Sequence, residues 1–364
     1  VLYNFSPSTG GTGDVGTNML SKKQFDAGGE DALGAKPAGT GPMVITEWKR
    51  DDRLTTKKFE GYWKKGADGQ SLPYLDGITS RIIKEPAVIF AEMRAGTVDV
   101  SSHMSDSDYA AAKANPELKV TVLRWAANFH IFGYNQKHEV WGKNLKLRQA
   151  TAHATDRKSL ATAVGFGLAE PNDHIFWGPG FPGYDPSLPQ YEFNLDKAKQ
   201  LMKDGGYPDG LDVTMITYTQ PLFQKPAEVL QAMWAKIGIK MKLDLEEVVA
   251  ARSRLKLQDF EVTSHRATIS LEPAYLARMF TCNGAANWSS YCNPEVDKCM
   301  ADAEKIYDVN QRGEMYKRCQ KPIYEDALVG GMHRTFSTIT ARKIVQGLRV
   351  QYSAMDLFEV WLDK

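Results

Sequence analysis

The chain has no apolar run near the ~20 residues that a membrane-spanning helix needs, and no excess of charge of either sign. Its 45 Lys and Arg offset 44 Asp and Glu, leaving a net charge of +1. That balance argues against a nucleic-acid partner, which selects a strongly basic surface. Cysteine is scarce, and none of the four residues falls in a Cys-x-x-Cys pair, so a zinc site has little support. The seven histidines, His103, His130, His138, His153, His174, His265 and His333, include no pair at i,i+4, the spacing a helical metal site requires. No metal is expected. There is no Gly-x-Ser-x-Gly elbow and no phosphate-binding Gly-x-x-x-x-Gly-Lys loop. Nothing marks two of the many carboxylates as an acid/base pair. The sequence therefore reads as that of a protein that is not an enzyme. It opens at Val1 without an initiator Met or a signal-peptide pattern, which reads as a processed or truncated product.

What is present is an ordinary globular balance, 43% hydrophobic and 24% charged, over 364 residues. That length allows two or three domains and a large core. The cysteines, at 282, 292, 299 and 319, cluster in the last quarter, an even number that fits an oxidising compartment. Buried reduced thiols remain the alternative.

The first 39 residues are rich in Gly, Ser and Thr and read as a strand, a turn and a loop. Paired strands follow at 43–50 and 53–59, with Val44, Trp48, Leu54 and Phe59 as expected buried positions. A helix is expected from Pro86 to Arg94, and separate strands at 118–125 and 128–134. From 194 onward the pattern is clean α/β. Asn194 caps a helix stopped by Gly205-Gly206, and Leu211, Val213 and Met215 alternate as a strand. Pro226 is expected to start a helix with Val229, Leu230, Met233, Trp234 and Ile237 on one stripe, before a strand at 239–245. Asn293-Pro294 starts another helix, and one more covers about 311–324.

Several short motifs stand in a fixed order. Gly39-Thr-Gly-Pro-Met43 opens the set, followed by Phe59-Glu-Gly-Tyr-Trp63, Tyr74-Leu-Asp-Gly-Ile78 and Phe90 to Val100. Then come Leu147-Arg-Gln-Ala150 with Thr155-Asp-Arg157, Phe193 to Leu201 with Gly205-Gly-Tyr207, and Trp234-Ala-Lys-Ile-Gly-Ile239. Asn287 through Asn293-Pro-Glu-Val-Asp297, then Arg312, Tyr316 and Gln320, and finally Val345-Gln-Gly347 and Phe358 to Leu362 complete it. In this order the chain resembles the peptide and nickel class of extracytoplasmic solute-binding proteins serving ABC importers, from Ala38 to Lys364.

The resemblance implies an α/β fold of two lobes with mixed sheets and an interlobe cleft. Residues 1–127 would be part of lobe I, with 341–364 returning to it, and 128–340 would be lobe II. The N-terminal part of lobe I, present in the family, would be absent. The segments near Ala127–Ile131 and Arg334–Thr340 would join the lobes, and Phe358–Leu362 would pack on the 41–48 region. The implied partners are a small-molecule ligand and the membrane permease of an ABC importer. The protein would be a periplasmic or membrane-anchored extracytoplasmic monomer, without nucleic acid or cofactor. Because peptide-binding relatives carry a pair at similar places, Cys282 and Cys292 would form a disulfide. Cys299 and Cys319 would either bond or sit as buried thiols.

The resemblance also locates the ligand site near the Glu272-Pro273 step. Peptide binders of the family hold the ligand's α-amino group with an aspartate where this chain has Ile269, and place a tryptophan where it has Arg266. An arginine that their dipeptide binders use for the ligand carboxylate has no counterpart between Val213 and Gln224. Both departures argue against a plain dipeptide, and Arg266 argues for an anionic ligand, since a guanidinium pairs bidentately with carboxylate or phosphate. The expected ligand-binding residues are Arg266, Ile269, Thr268, Ser270, Ser264, Glu247, Tyr218 and Phe223. An oligopeptide held through its backbone is the alternative within the family. A weaker one is an NAD-dependent enzyme using Gly11-Thr-Gly13-Asp-Val-Gly16. That G-x-G-x-x-G match lies in a Gly-rich loop too long for the tight turn after a strand, so a plain loop is the simpler reading.

Overall fold

The computed structural model describes residues 21–35, 37–172, 182–188, 191–268, 276–351 and 354–363, with the backbone alone for 31–35, 125–127, 267–268, 351 and 354. The Gly11–Gly16 motif, Ile269 and Ser270 lie outside the described residues. The chain falls into two compact units, Val1–Ala126 with Ser337–Lys364, and Ala127–Phe336.

The first unit begins with α1 (Lys22–Ala35), a helix where a loop was expected, interrupted by non-helical backbone at Gly28 and Gly29. Strands β1 (Met43–Lys49), β2 (Arg53–Lys58) and β3 (Gly77–Arg81) form an antiparallel sheet in that order. Val44, Trp48 and Phe59 are 41%, 49% and 46% exposed, against the expectation that they are core. The alternation was read correctly as strand. Burial requires a second layer, and among the described residues none covers these side chains. Helix α2 (Pro86–Ala95) starts with proline at its first turn, where a missing N–H costs nothing. It ends at Gly96, whose left-handed backbone lets its N–H reach the carbonyls of Glu92 and Met93. Strand β4 (Val100–Ser101), a short 3-10 turn and α3 (Tyr109–Ala114) lead to β5 (Leu118–Tyr134). That strand is one continuous element where two were expected, and it carries the chain into the second unit.

There, α4 (Glu139–Lys143), α5 (Leu145–Ala154), α6 (Arg157–Gly165), β6 (Ala169–Pro171) and α7 (Leu195–Asp204) follow. The side chains of Asn144, Asp156 and Asn194 cap α5, α6 and α7 by accepting from Leu147, Ser159 and Lys197 N–H. Next come β7 (Leu211–Tyr218), α8 (Pro221–Ala235), β8 (Ile239–Glu246), α9 (Val248–Leu257) and β9 (Val262–Thr268). Helix α8 starts at Pro221, not Pro226. Pro226 lies inside it, leaving unused one carbonyl near the exposed start of the helix. Helices α10 (Ala277–Phe280), α11 (Pro294–Glu304) and α12 (Val309–Glu325) precede β10 (Val329–Arg342). The chain returns to the first unit along β10 and closes with β11 (Val345–Gln346), β12 (Arg349–Gln351), β13 (Ala354–Asp356) and β14 (Trp361–Leu362). There β14 pairs with β11, and the Phe358 ring lies 6.2 Å from that of Tyr62.

The main sheet is mixed, in the order β4-β10-β5-β9-β7-β8, with β6 on β10. β5 runs antiparallel to β9, whereas β7 is parallel to both β8 and β9. Phe132 and Tyr134, two residues apart on β5, point the same way. Phe132 meets Trp234 edge-on at 5.1 Å, and Tyr134 stacks on Trp141 at 5.2 Å. Burying a side chain such as Phe132 stabilises by about 1.5–3 kcal/mol, so this aromatic cluster fixes the strand's register. A second core of Phe280, Val296, Met300, Tyr316 and Ile323 joins α10, α11 and α12. Two disulfides staple that region, Cys282 to Cys292 and Cys299 to Cys319.

Candidate functional site

The candidate site lies in the second unit, where β5, β9 and β10 meet the first turn of α8. Antiparallel pairing sets His130 of β5 directly across from Arg266 of β9. The first turn of α8 brings Phe223 to both: its ring centroid is 5.9 Å from the Arg266 guanidinium and 6.1 Å from the His130 ring. Tyr218, at the end of β7, meets Phe223 edge-on at 4.7 Å. His130 in turn stacks on His333 of β10, with ring centroids 4.2 Å apart and planes 13° from parallel. The two imidazoles are 2% and 1% exposed.

Arg266 differs from its surroundings. It is exposed, and no salt bridge to it is found among the described residues. The protein packed around its head lowers its pKa by desolvation, and no neighbouring carboxylate offsets this. Two other guanidiniums of this unit are engaged in ion pairs: Arg254 with Asp244, Glu246 and Asp259, and Arg334 with Glu170 at 2.6 Å. A guanidinium stacked on an aromatic face with its donors unspent is suited to a planar anion.

Burial pushes the pKa of His130 well down, with the fields of His333 and Arg266 acting in the same direction. Burial alone takes His333 down to about 3 and His265 down to about 4. His265 lies next to Arg266 on β9, and alternation sends its side chain to the other face. Its ring meets Trp288 at 5.3 Å and borders a cavity of about 20 Å³ that Phe280 also lines. Burial thus favours the uncharged imidazole at all three positions.

The expected ligand residues divide. Arg266, Phe223 and Tyr218 come together. Ser264 is buried and directs its hydroxyl to the Met332 sulfur at 3.8 Å. Glu247 accepts from the Thr219 hydroxyl at 2.9 Å, just past the C-terminal end of β8, where Glu246 pairs with Tyr218. Thr268 closes β9 as backbone. Reading from the sequence missed His130 and His333, because it tested histidines only for helical metal spacing. The usable signal was polar Asn128 and His130 alternating with apolar Phe129 and Ile131 on a strand. Among the described residues no three His, Cys, Asp or Glu come together to hold a metal ion. The stacked pair cannot chelate one either, because in parallel rings the nitrogen lone pairs do not converge.

The family model for bacterial extracellular solute-binding proteins, family 5, matches residues 4–287. The chain belongs to that family. Family 5 relatives include heme-binding protein A of Haemophilus influenzae, 27% identical over 316 residues, which are 83% of this chain and 55% of the relative. The dipeptide-binding protein of Escherichia coli is 26% identical over 327 residues, 85% of this chain and 59% of that protein. The chain thus spans less than two thirds of the length of these curated relatives. The solved structure of HbpA2 from Haemophilus parasuis is similar at a TM-score of 0.79 and 27% identity, over 95% of this chain and 69% of that one. The mixed α/β architecture is that of the two-lobed periplasmic binding proteins. The relatives are named as binding proteins, and among the described residues no helix is long and apolar enough to cross a membrane.

Proposed function

We propose that this family 5 chain captures a small organic ligand carrying an anionic group and delivers it to the permease of an ABC importer. It acts outside the cytoplasmic membrane, as a monomer, without chemistry on the ligand and without nucleic acid. The observation that carries this reading is Arg266, with its guanidinium 5.9 Å from the Phe223 ring centroid and no salt bridge among the described residues. A bound carboxylate would receive two charge-assisted hydrogen bonds there, each contributing about 1.5–3 kcal/mol. Domain assignment follows the resemblance: residues 1–127 with 341–364 form lobe I, and 128–340 form lobe II.

One observation favours a peptide as the second reading. Relatives are named dipeptide-binding and oligopeptide-binding proteins. A peptide's terminal carboxylate could use the same guanidinium.

Calorimetry of the full chain against mono- and dicarboxylic acids, dipeptides, and oligopeptides with free or amidated C-termini tests both. Tightest binding by a carboxylic acid, weakened about tenfold or more in Arg266→Ala with the ligand-free melting temperature little changed, is the expected result. Unchanged affinity in that variant, or dipeptides binding better than carboxylic acids, would overturn the anionic-ligand reading. Binding of amidated and free peptides alike would support the backbone-held oligopeptide.

A further inference from the structure

The Arg266 neighbourhood contains two polar side chains that the binding reading leaves unused. His130 and His333 are almost wholly buried, and among the described residues His130 Nε2 and His333 Nδ1 have no hydrogen-bond partner. Buried polar atoms are normally paired, and an orphan in a functional region calls for an explanation. We propose that His130 and His333 are a protonatable part of the anion site, so that capture of an anion at Arg266 raises their affinity for a proton and, in acid, takes one up. This inference rests on the anionic-ligand reading of Arg266.

The pair is surrounded by few charges. On β9, Arg266 faces His130 in register, and His265 follows on the opposite face. On β10, the residue after His333 is Arg334, which is bound to Glu170 of β6 and so presents a neutralised pair. On α8, the nearest group is the Phe223 ring, while Lys225 and Glu228 are exposed. The groups acting on His130 are thus His333, Arg266 and His265, every one neutral or cationic. Burial favours the neutral rings in the free protein, and nothing in this set stabilises an imidazolium. A ligand anion seated on Arg266 changes the sign of the local field. It masks the guanidinium that opposes protonation and adds a negative charge that favours it, and both effects raise the imidazole pKa.

The stack limits the stoichiometry. Two imidazoliums with centroids 4.2 Å apart would repel strongly, so the pair takes up one proton, shared as a coupled titration. The sign of the linkage follows. Above the ordinary histidine range both rings are neutral in the free and bound protein, and affinity is flat. As pH falls toward the raised pKa of the bound state, anion affinity increases. A rise of one pKa unit corresponds to about tenfold between the two limits. Specificity follows as well, because a zwitterion, whose ammonium cancels the field, gains less than a simple anion.

Nuclear magnetic resonance of the full wild-type chain tests this, with inorganic sulfate as probe because it stays fully ionised throughout. The Arg266 side-chain Nε resonance reports binding, and the His130 and His333 Cε1 resonances, assigned from His→Gln variants, report their pKa. The expected result is that sulfate, but not chloride at equal ionic strength, moves the Arg266 signal and raises the pKa of the pair by about 0.5 or more. In Arg266→Gln the rise should vanish. Movement of Arg266 without any change at His130 and His333 overturns the proton linkage and leaves the anion site standing. No movement of Arg266 overturns both. A histidine shift that persists in Arg266→Gln places the anion elsewhere and overturns the linkage through Arg266.

Discussion

His130 stands directly across from Arg266 in the antiparallel pairing of β5 and β9, and Phe223 lies within 6.1 Å of one and 5.9 Å of the other. A neutral imidazole, a guanidinium and an aromatic face therefore form one wall. The aromatic ring and the packed histidines restrict the guanidinium before any ligand arrives, which reduces the ordering cost of binding.

The wall predicts that charge alone does not suffice at position 266. Arg266→Lys keeps the cation but loses the planar fork and the stacking on Phe223. It should recover only a minor part of the affinity lost in Arg266→Ala, about tenfold below wild type for a carboxylate ligand. Isothermal titration of the three proteins side by side decides this; full recovery in the lysine variant would mean that a point charge is enough.

Acid should destabilise the protein through its buried histidines. His265 and His333 have folded pKa values lowered to about 4 and about 3, below their unfolded value near 6.5. The unfolded chain binds more protons in this window, so stability rises with pH. The contribution is fully present above about 6.5 and is lost as pH falls toward about 4, by up to ~1.4 kcal/mol per unit per histidine. Urea denaturation from pH 7.5 to 4.5 should show the decline, and His265→Gln should flatten it. An equal slope in the variant would show that the titrating group lies elsewhere.

The two disulfides should differ in reducibility. Cys292 is exposed and its bond closes a sequence separation of 10, whereas Cys319 is 1% exposed and its bond closes 20. In the chain-entropy account each stabilises by about 3 kcal/mol, slightly more for the longer loop. Under limiting reductant, peptide mapping should find Cys282 and Cys292 alkylated before Cys299 and Cys319. The reverse order would contradict the burial argument.

Two motif arginines should prove structural. Arg148 donates to the carbonyls of Trp141, Gly142 and Asp326, and Arg157 to those of Gly331 and Tyr191. Both are buried, at 5% and 6% exposure. Alanine at either position strands several carbonyls and should cost about 3 kcal/mol or more. Thermal melting measures it, and a variant of native stability would count against the assignment.

These arginines also show how much could be read in advance. The motifs containing Arg148, Arg157, Asn287 and Gln320 identified the family, but each of these side chains hydrogen-bonds backbone carbonyls, joining segments such as Gln320 to Gly183 or Asn287 to Tyr291. They encode how loops are tied down and carry no direct information about the ligand. Period and capping signals placed α7, α11, β7 and β8 well, because those elements are decided by nearby residues. The same signals failed where a distant layer decides, as at Val44, Trp48 and Phe59, whose alternation marks a strand without saying whether anything covers it.

The sequence by itself determined the family, the alternation of helices and strands, and Arg266 as a candidate to meet an anion. Those are properties of local pattern and of residue identity. Only the tertiary structure decided that His130, His333, Phe223 and Arg266 share one place, since they sit on four different elements separated by up to 203 positions in the chain, between His130 and His333. Strand register and the entry of α8 bring them together, and both are set by core packing around Phe132, Tyr134 and Trp234. No spacing within the sequence encodes that packing.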